Sequence, residues 1–365
     1  MTRALPLATG AGLTPGAERA PSFTETLQCL AEARDLTRAQ AAWALWQIVD
    51  GTAGDAEAAA FLMGLRVKGE TAEEIAGLLE PMRRLAIPVE TPCQDALVDL
   101  VGTGGDGLDT FNISTTAAFV VAGAGVKVAK HGNRAATSRC GSADVMEALG
   151  VRIDLTPLEV AACIDRVGIG FMLASLHHPA AGKVAHVRRA LGVRTVFNFL
   201  GPLANPAGVR RQLLGVCAPE YLGVLAGVLA RVGCEHALVV CGHGGMDELS
   251  VSGPSAVVEV RAGEVGEAYT LEPESCGLAL HELASLRGGD PAENAAITRQ
   301  VLGGAGGGPR DAVLLNAGAG LYVAGAVPSI AQGVERAAAS IDSGRAARAL
   351  DALVAMSSQL AEARR

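Results

Sequence analysis

The sequence predicts an α/β protein in which a helical N-terminal block precedes a mostly parallel sheet flanked by helices. Half of the 365 residues are apolar and only 3% are aromatic, and this composition suits closely packed helices and tight turns. Helical periodicity covers residues 23–87. After residue 91, short apolar runs alternate with helical stretches, which is the pattern of βαβ units.

The helical block is marked by its start and stop signals. Thr37 with Gln40, and Thr71 with Glu74, form capping-box pairs that each open an apolar periodic run. The prolines of "IPVETP", residues 87–92, end the block and indicate a crossing into a second domain. We therefore predict a flexible tail over residues 1–22, a helical domain over 23–90 and an α/β domain over 91–365.

Five strands and a hairpin are predicted in the second domain. The strand runs are "ALVDLVG" (96–102), "GVKVAKHG" (125–132), "IGFMLAS" (169–175), "RQLLGVC" (211–217) and "HALVVCG" (236–242). The segment "SAVVEVRAGEVGEAYTL" (255–271) has two β runs around a glycine-containing turn and predicts an antiparallel hairpin. From residue 294 the pattern is helical again.

Charge and composition exclude several function classes. The formal charge of −8 argues against general affinity for nucleic acid, which requires a basic surface. No apolar run reaches transmembrane length, and the first 22 residues lack the apolar segment of a signal peptide. The eight cysteines include no Cys-x-x-Cys pair, which favours buried thiols in a reducing compartment. We predict a cytoplasmic protein without nucleic-acid or membrane partners.

The glycine-rich stretch "LVGTGGDGLDTFNIST", residues 100–115, raises the question of which phosphate it binds. Gly102, Gly104 and Gly107 satisfy the Gly-x-Gly-x-x-Gly spacing of dinucleotide-binding turns. An NAD site also needs an acid at the end of the second strand, but that strand runs into Lys130 and His131. The Walker A pattern fails because no Gly-Lys-Ser/Thr follows. A structural turn alone would not need so many hydroxyl and amide groups (Thr103, Thr110, Asn112, Ser114, Thr115). The loop is therefore predicted to bind a phosphate other than that of NAD.

Two further clusters follow predicted strands. "AKHGNRAATSRCGSADVMEALG" (129–150) is rich in basic side chains, which are natural partners of phosphate oxygens. "GHGGMDELS" (242–250) contains the adjacent carboxylates Asp247 and Glu248, the ligand type that magnesium prefers. Each cluster alone also fits a solvated surface loop. Because the carboxyl ends of parallel strands meet at one edge of a sheet, we expect the clusters to form one site.

A fourth stretch, "HHPAAGKVAHVRRALGVRTVFNFLGPLANP" (177–206), carries Arg188, Arg189 and Arg194 on a helix and its exit. Surface arginines on a helix are common. A guanidinium fork near apolar side chains is also suited to grip a carboxylate on an aromatic ring.

Together these motifs resemble the anthranilate phosphoribosyltransferases of tryptophan biosynthesis. The matching segments are "GTGGDGLDTFNIST", "KHGNRA" with "GSAD" after it, "HHPA" with "VRR", "RTVFNFLGPLANP" and "MDELS". The resemblance runs from about residue 23 to the end. It implies a small all-helical domain, completed by a segment at about 183–206, beside a larger domain with a mostly parallel sheet, as in pyrimidine nucleoside phosphorylases.

The implied reaction transfers the phosphoribosyl group of 5-phosphoribosyl diphosphate (PRPP) to the amine of anthranilate, with magnesium present and diphosphate released. The resemblance also implies a homodimer formed through the helical domain. No general acid or base is assigned, because the aromatic amine is neutral at pH 7. The segment Ala181-Gly182-Lys183 departs from the bulkier residues that family members often carry there, so a differently shaped anthranilate entrance is expected.

The resemblance implies three sets of site residues. Those for PRPP are Gly102, Gly105, Asp106, Thr110, Asn112, Ile113, Ser114, Thr115, Lys130, His131, Gly132, Asn133, Arg134, Ser138 and Ser142. Those for anthranilate are Gly102, Asn133, His178 and Arg188. The Mg²⁺ ligands are Ser114, Asp247 and Glu248.

Two other functions are considered. A pyrimidine nucleoside phosphorylase of the same fold would use inorganic phosphate and should carry Ser-Gly-Arg-Gly in place of "HGNR". A non-catalytic, nucleic-acid-binding relative should have a basic surface and a degraded acidic pair, whereas this chain is acidic and keeps Asp247 and Glu248.

Overall fold

Four helices form the N-terminal block in a computed structural model that describes residues 22–135 and 138–364. They are α1 (Phe23–Ala31), α2 (Arg38–Asp50), α3 (Asp55–Lys68) and α4 (Ala72–Arg84). Both predicted capping boxes are present, with Thr37 and Thr71 each accepting a hydrogen bond from the backbone three residues on. The predicted tail, apart from Ser22, lies outside the described residues.

The sheet contains the five predicted parallel strands and the predicted hairpin. The parallel strands are β1 (Val98–Gly102), β2 (Val128–Gly132), β3 (Ile169–Leu173), β4 (Arg211–Gly215) and β5 (His236–Cys241). The antiparallel strands β6 (Ser255–Arg261) and β7 (Glu264–Leu271) complete the order β3-β2-β1-β4-β5-β6-β7. The predicted fold class is confirmed.

Helices cover both faces of the sheet. They are α5 (Ile113–Gly123), α6 (Ser142–Ala148), α7 (Pro157–Val167), α8 (Ala174–His177), α9 (Pro179–Leu191), α10 (Phe197–Leu203), α11 (Tyr221–Arg231), α12 (Pro291–Leu302), α13 (Gly308–Val323), α14 (Ile330–Asp342) and α15 (Arg345–Ala363). No helix within the described ranges has the length and apolarity needed to cross a membrane.

Two hydrophobic cores lie on opposite faces of the sheet. One packs α5–α7 and α12–α15 against β1–β3 and against alternate residues of β4–β6. The other joins α1–α4, α9, α10 and α11 to the opposite face of β4 and β5. In the second core α9 contacts α2 and α3, and α10 contacts α4. The segment at about 183–206 thus packs on the N-terminal helices, while the domain boundaries themselves stay a prediction.

The order of the strands creates one gap at the carboxyl edge of the sheet. From β1 the chain adds β2 and β3 on one side, whereas β4 and β5 lie on the other side. Loops leaving β1 and β4 therefore diverge, and such a switch point is where open α/β sheets bind ligands. The glycine-rich loop begins here, at Gly102.

Candidate active site

The segment that carries Asp247 and Glu248 (residues 242–250, the acidic loop) crosses the ends of β1 and β4 at this switch point. A Cβ added to Gly215 would lie 1.7 Å from the Asp247 carbonyl oxygen, and one added to Gly102 would lie 2.2 Å from Asp247 Oδ2. Any larger residue at the end of either strand would push the acidic loop away. Two glycines thus hold the Asp247 and Glu248 pair against the sheet edge.

Backbone N–H groups of the glycine loop and α5 hold the two carboxylates. The Gly104 N–H donates to Asp247 Oδ2 at 2.6 Å, and the Ser114 N–H donates to Glu248 Oε1 at 3.0 Å. Ser114 lies in the first turn of α5, where backbone N–H groups have no partner within the helix. The sequence-predicted phosphate loop and acidic pair therefore form one site.

Burial and mutual repulsion raise the pKa values of Asp247 and Glu248. Burial, followed by the charge of Glu248, raises the pKa of Asp247 well above its ordinary value. Burial also raises the pKa of Glu248 to about 7, against the opposing effects of Ser114 and Lys130. A cation at this position would relieve the repulsion between these carboxylates.

The donor set fits magnesium. Asp106 lies near the pair, and its Oδ2 is buried without a hydrogen-bond partner in the described structure. Within residues 22–135 and 138–364, no three His, Cys, Asp or Glu side chains are arranged to hold a metal ion by themselves. Magnesium characteristically binds one or two carboxylates and takes its other ligands from water and substrate phosphates. Asp247 and Glu248 match this pattern.

Lys130 lies beneath the glycine loop and is 1% exposed. Its Nζ donates to the Leu100 carbonyl oxygen at 2.6 Å, and the charges of Asp99, Glu248 and Asp247 surround it. Burial lowers the pKa of Lys130, and burial raises the pKa of Asp99 to about 6. In this structure Lys130 compensates acidic charge; its contact with phosphate stays a prediction.

The loop after β2 brings together only some of the predicted residues. The Asn133 N–H donates to Ser142 Oγ at 3.2 Å, which closes the loop against α6. The Arg134 guanidinium forms ion pairs with Asp144 and Glu147 of α6, so its side chain is already engaged. Ser138 is exposed, and residues 136 and 137 of this loop lie outside the described residues.

Asn112 is fixed by a residue that sequence reasoning missed. Its Oδ1 accepts a hydrogen bond from Asn294 Nδ2 at 2.9 Å, and its Nδ2 donates to the Cys140 carbonyl oxygen at 3.3 Å. Asn294 is buried and lies 182 residues away along the chain. No local signal in the sequence points to it. The other predicted PRPP residues of this region lie on the same loop and helix start: Gly105, Asp106 and Thr110 on the loop, Ile113 and Thr115 on α5.

Two buried histidines lie side by side at the ends of β2 and α8. The ring centroids of His131 and His178 are 5.1 Å apart, and His131 Nδ1 forms a hydrogen bond with the Gly201 carbonyl oxygen at 3.1 Å. Burial lowers the pKa of His178 to about 4 and that of His131 well below its ordinary value. Both imidazoles are therefore neutral at pH 7.

The arginines of α9 differ in environment. Arg188 is half-buried with its Cζ 5.1 Å from the centroid of the Phe197 ring, and no carboxylate pairs with it in the described structure. Arg189 is exposed and donates from Nε to the Ala185 carbonyl oxygen of its own helix at 3.4 Å. Arg188 thus has a free guanidinium fork beside an aromatic ring.

Comparisons with known proteins agree with this architecture. Residues 94–347 match the α/β domain of a glycosyl transferase family, and residues 24–86 match its helical bundle domain. The chain is 56% identical to the anthranilate phosphoribosyltransferase of Anaeromyxobacter sp. (strain K), over 89% of this chain and 95% of that protein.

Two solved structures have the same fold along almost their whole length. The crystal structure of anthranilate phosphoribosyltransferase from Thermus thermophilus is 45% identical, with a TM-score of 0.86, and covers 91% of this chain and 99% of that chain. The Saccharomyces cerevisiae enzyme in complex with PRPP and Mg is 31% identical, with a TM-score of 0.84, and covers 92% of this chain and 98% of that chain.

Proposed function

The chain belongs to the anthranilate phosphoribosyltransferase family, and from this premise we propose how its residues carry out phosphoribosyl transfer. The enzyme transfers the 5-phosphoribosyl group of PRPP to the amine of anthranilate and releases diphosphate. The observation that best supports our assignment of residues is the convergence of the glycine loop, the start of α5 and the acidic pair at the switch point.

The glycine loop and α5 receive the diphosphate of PRPP. Breaking the bond between ribosyl C1 and the diphosphate oxygen leaves positive charge on the ribose and negative charge on the leaving group. Backbone N–H groups at the start of α5 and the charge of Lys130 favour the anion that develops, and they are already in place before the reaction. Asn112, held by Asn294, positions this helix start.

Asp247, Glu248 and Ser114 would hold magnesium beside the diphosphate. The ion supplies charge neutralisation to the leaving group when it is bound. The carboxylates are held by the N–H groups of Gly104 and Ser114, so they are oriented by the same backbone that receives the phosphates.

Anthranilate binds between α9 and the loop after β2. The guanidinium of Arg188 compensates the carboxylate of anthranilate, and Asn133 and Gly102 bound the space on the PRPP side. The amine attacks C1 as a neutral nucleophile, and after the new C–N bond forms the cationic nitrogen gives its extra proton to solvent water. His131 and His178 are buried and neutral, so they add no charge to the lining of the proposed anthranilate site.

We further propose a cytoplasmic homodimer formed through the helical domain. Val67 in α3 is 80% exposed, the largest exposure of a large apolar side chain in α1–α4. A single exposed valine is ordinary on a protein surface, so the proposed dimer rests on the family resemblance alone. All eight cysteines are free thiols, which fits a reducing compartment.

One assay tests the activity. Purified protein mixed with PRPP, anthranilate and MgCl₂ should consume anthranilate, followed as loss of its fluorescence, and release diphosphate in equal amount. A parallel reaction with uridine and inorganic phosphate tests the phosphorylase alternative. Turnover in the second reaction without turnover in the first would contradict the proposed function.

A further inference from the structure

We propose that Arg194 is a positioning residue that fixes the glycine loop for diphosphate and keeps one donor free for it. Arg194 lies in the connection between α9 and α10, outside every set of site residues given above. The proposal deepens the function described above and rests on it.

The guanidinium of Arg194 contacts two adjacent glycines of the glycine loop, Gly104 and Gly105. Its Nη1 donates to the Gly104 carbonyl oxygen, and a Cβ added to Gly105 would lie only 1.6 Å from the same nitrogen. Gly104 and Gly105 both have left-handed backbones, with φ of 72° and 79°. Gly104 is favoured by its left-handed backbone, and Gly105 both by its left-handed backbone and by the space that Arg194 occupies.

Gly104 connects Arg194 to the acidic pair. Its carbonyl oxygen accepts the hydrogen bond from Arg194, while its N–H donates to Asp247 Oδ2 at 2.6 Å. A loop that lost Arg194 would be free to turn at Gly104, and Asp247 would then lose a hydrogen bond. Arg194 thus acts on the proposed metal ligands through the glycine loop, without contacting them.

The Nη2 group of Arg194 is buried and has no hydrogen-bond partner among the described residues. The side-chain hydrogen bond that Arg194 forms there is from Nη1 to the Gly104 carbonyl oxygen, so no carboxylate balances its charge. An arginine is always charged, and leaving a buried donor of a charged group unpaired is costly. A diphosphate oxygen at the glycine loop would supply the missing acceptor, and a guanidinium fork suits that acceptor.

The chain after Arg194 runs directly into α10. The Thr195 N–H donates to Asn198 Oδ1 at 3.1 Å, which joins the residue next to Arg194 to the first turn of that helix. Six residues before Arg194, Arg188 lies on α9 with its fork free. The same chain segment thus carries one arginine for each substrate, and loss of Arg194 should affect PRPP alone.

The test compares Arg194→Ala and Arg194→Lys with Arg189→Ala, an exposed arginine on the same segment. PRPP affinity in the presence of MgCl₂ is measured by calorimetry without anthranilate, and KM is measured for both substrates. Arg194→Ala should weaken PRPP binding by roughly 10- to 150-fold, the loss expected for a charge-assisted hydrogen bond. The MgCl₂ concentration for half-maximal activity should rise in parallel, and the KM for anthranilate should change by less than about twofold. Arg194→Lys should recover only part of the affinity, because an ammonium cannot span two acceptors as a fork does.

Gly105→Ala provides a second route to the same result. The added Cβ should displace the guanidinium, so PRPP binding should weaken as in Arg194→Ala. Because Gly105→Ala also strains the left-handed backbone of the loop, it should weaken PRPP binding at least as much as Arg194→Ala does. Adding Arg194→Ala to it should cost less than Arg194→Ala costs in the wild type, because the Arg194 contact is already displaced.

The outcomes separate this proposal from the activity itself. If the wild-type protein transfers phosphoribosyl groups and Arg194→Ala binds PRPP normally, the role of Arg194 is wrong and the activity stands. Equal losses for both substrates, together with a lowered melting temperature, would make Arg194 a general structural residue. A wild-type protein that neither turns over nor binds PRPP would contradict the proposed function.

Discussion

At the residue scale, the arginines of the candidate site differ in whether the protein supplies a partner for the guanidinium group. Arg189 bonds its own helix and Arg134 is engaged by two acids of α6, whereas Arg188 has no carboxylate partner in the described chain. A half-buried guanidinium without a protein partner is available to a ligand carboxylate. We therefore expect Arg188 and Arg189 to differ in function, which substitution can measure.

Arg188→Ala should lower kcat/KM for anthranilate by about 10- to 150-fold, because a hydrogen bond to a charged group contributes roughly 1.5–3 kcal/mol. PRPP affinity should barely change. Steady-state kinetics with each substrate varied in turn provide the measurement. Arg189→Ala is the matched control and should lose much less. Equal losses in the two variants would mean that Arg188 supports the helix and does not contact the carboxylate.

Glu248→Ala should raise the PRPP and MgCl₂ concentrations that activity requires while leaving the protein folded. The physical reason is that one of two buried carboxylates is removed, so cation binding is weakened but the repulsion with Asp247 is also relieved. Activity titrated with MgCl₂ at fixed PRPP gives the readout, and circular dichroism checks the fold. Glu220→Ala, an exposed carboxylate at the start of α11, serves as control. An unchanged magnesium dependence in Glu248→Ala would rule out the metal role.

At the element scale, some helices pack so closely that only glycine fits at the contact, whereas other helical glycines face open space. Gly77 in α4 lies against α2, where an added Cβ would be 2.3 Å from the Arg38 carbonyl oxygen. Gly223 in α11 is exposed, and an added Cβ would meet nothing within 4 Å. The same substitution should therefore have opposite effects in the two helices.

Gly77→Ala should destabilise the protein, because overpacking costs about 1–3 kcal/mol and exceeds the gain in helix propensity. Gly223→Ala should stabilise it by roughly 0.5–1 kcal/mol, the gain expected for alanine over glycine within a helix. Urea unfolding of both variants beside the wild type measures the free energies of unfolding. A Gly77→Ala variant as stable as the wild type would show that α2 and α4 separate without cost.

Elements were predictable from local pattern, whereas their contacts were not. The capping boxes at Thr37 and Thr71, the five parallel strands and the hairpin depend on residues close in sequence, and all are confirmed. The contact of Arg194 with Gly104 joins residues 90 apart. It depends on the strand order around β1 and on the path from α9 to α10, neither of which alternation of strands and helices specifies.

At the scale of the whole molecule, buried histidines join the helical elements to the sheet. His177 Nδ1 forms a hydrogen bond with the Ile87 carbonyl oxygen at 3.0 Å, and Nδ1 of His131 in β2 forms one with the Gly201 carbonyl oxygen of α10 at 3.1 Å. Burial lowers the pKa of His177, His131 and His178 alike. These groups fold in the neutral form, so the unfolded chain binds more protons than the folded one below about pH 6.5.

The buried histidines should therefore lower stability as pH falls from about 7.5 to about 5, whereas the buried carboxyls Asp99, Asp247 and Glu248, whose pKa values are raised, act in the opposite direction. Each histidine with a depressed pKa contributes stability that is present above its unfolded pKa and is lost as pH falls toward its folded pKa. For His178, whose pKa is lowered from 6.5 to about 4, the loss at pH 5 is about 2 kcal/mol. Urea unfolding at the two pH values should show that the free energy of unfolding of His178→Asn, relative to that of the wild type, is higher at pH 5 than at pH 7.5 by about 2 kcal/mol. The same pH dependence in both proteins would mean that His178 does not contribute to the acid sensitivity.

The hairpin that completes the sheet also determines how copies of the molecule meet in a crowded solution. Seven of the eight residues of β7 are exposed, and Glu264 and Glu267 are among them. An open strand edge is a template on which other chains can add, and charge along it opposes that addition. Two molecules approaching edge to edge here would bring rows of like charge together. We therefore expect charge on this edge strand to oppose aggregation at high concentration.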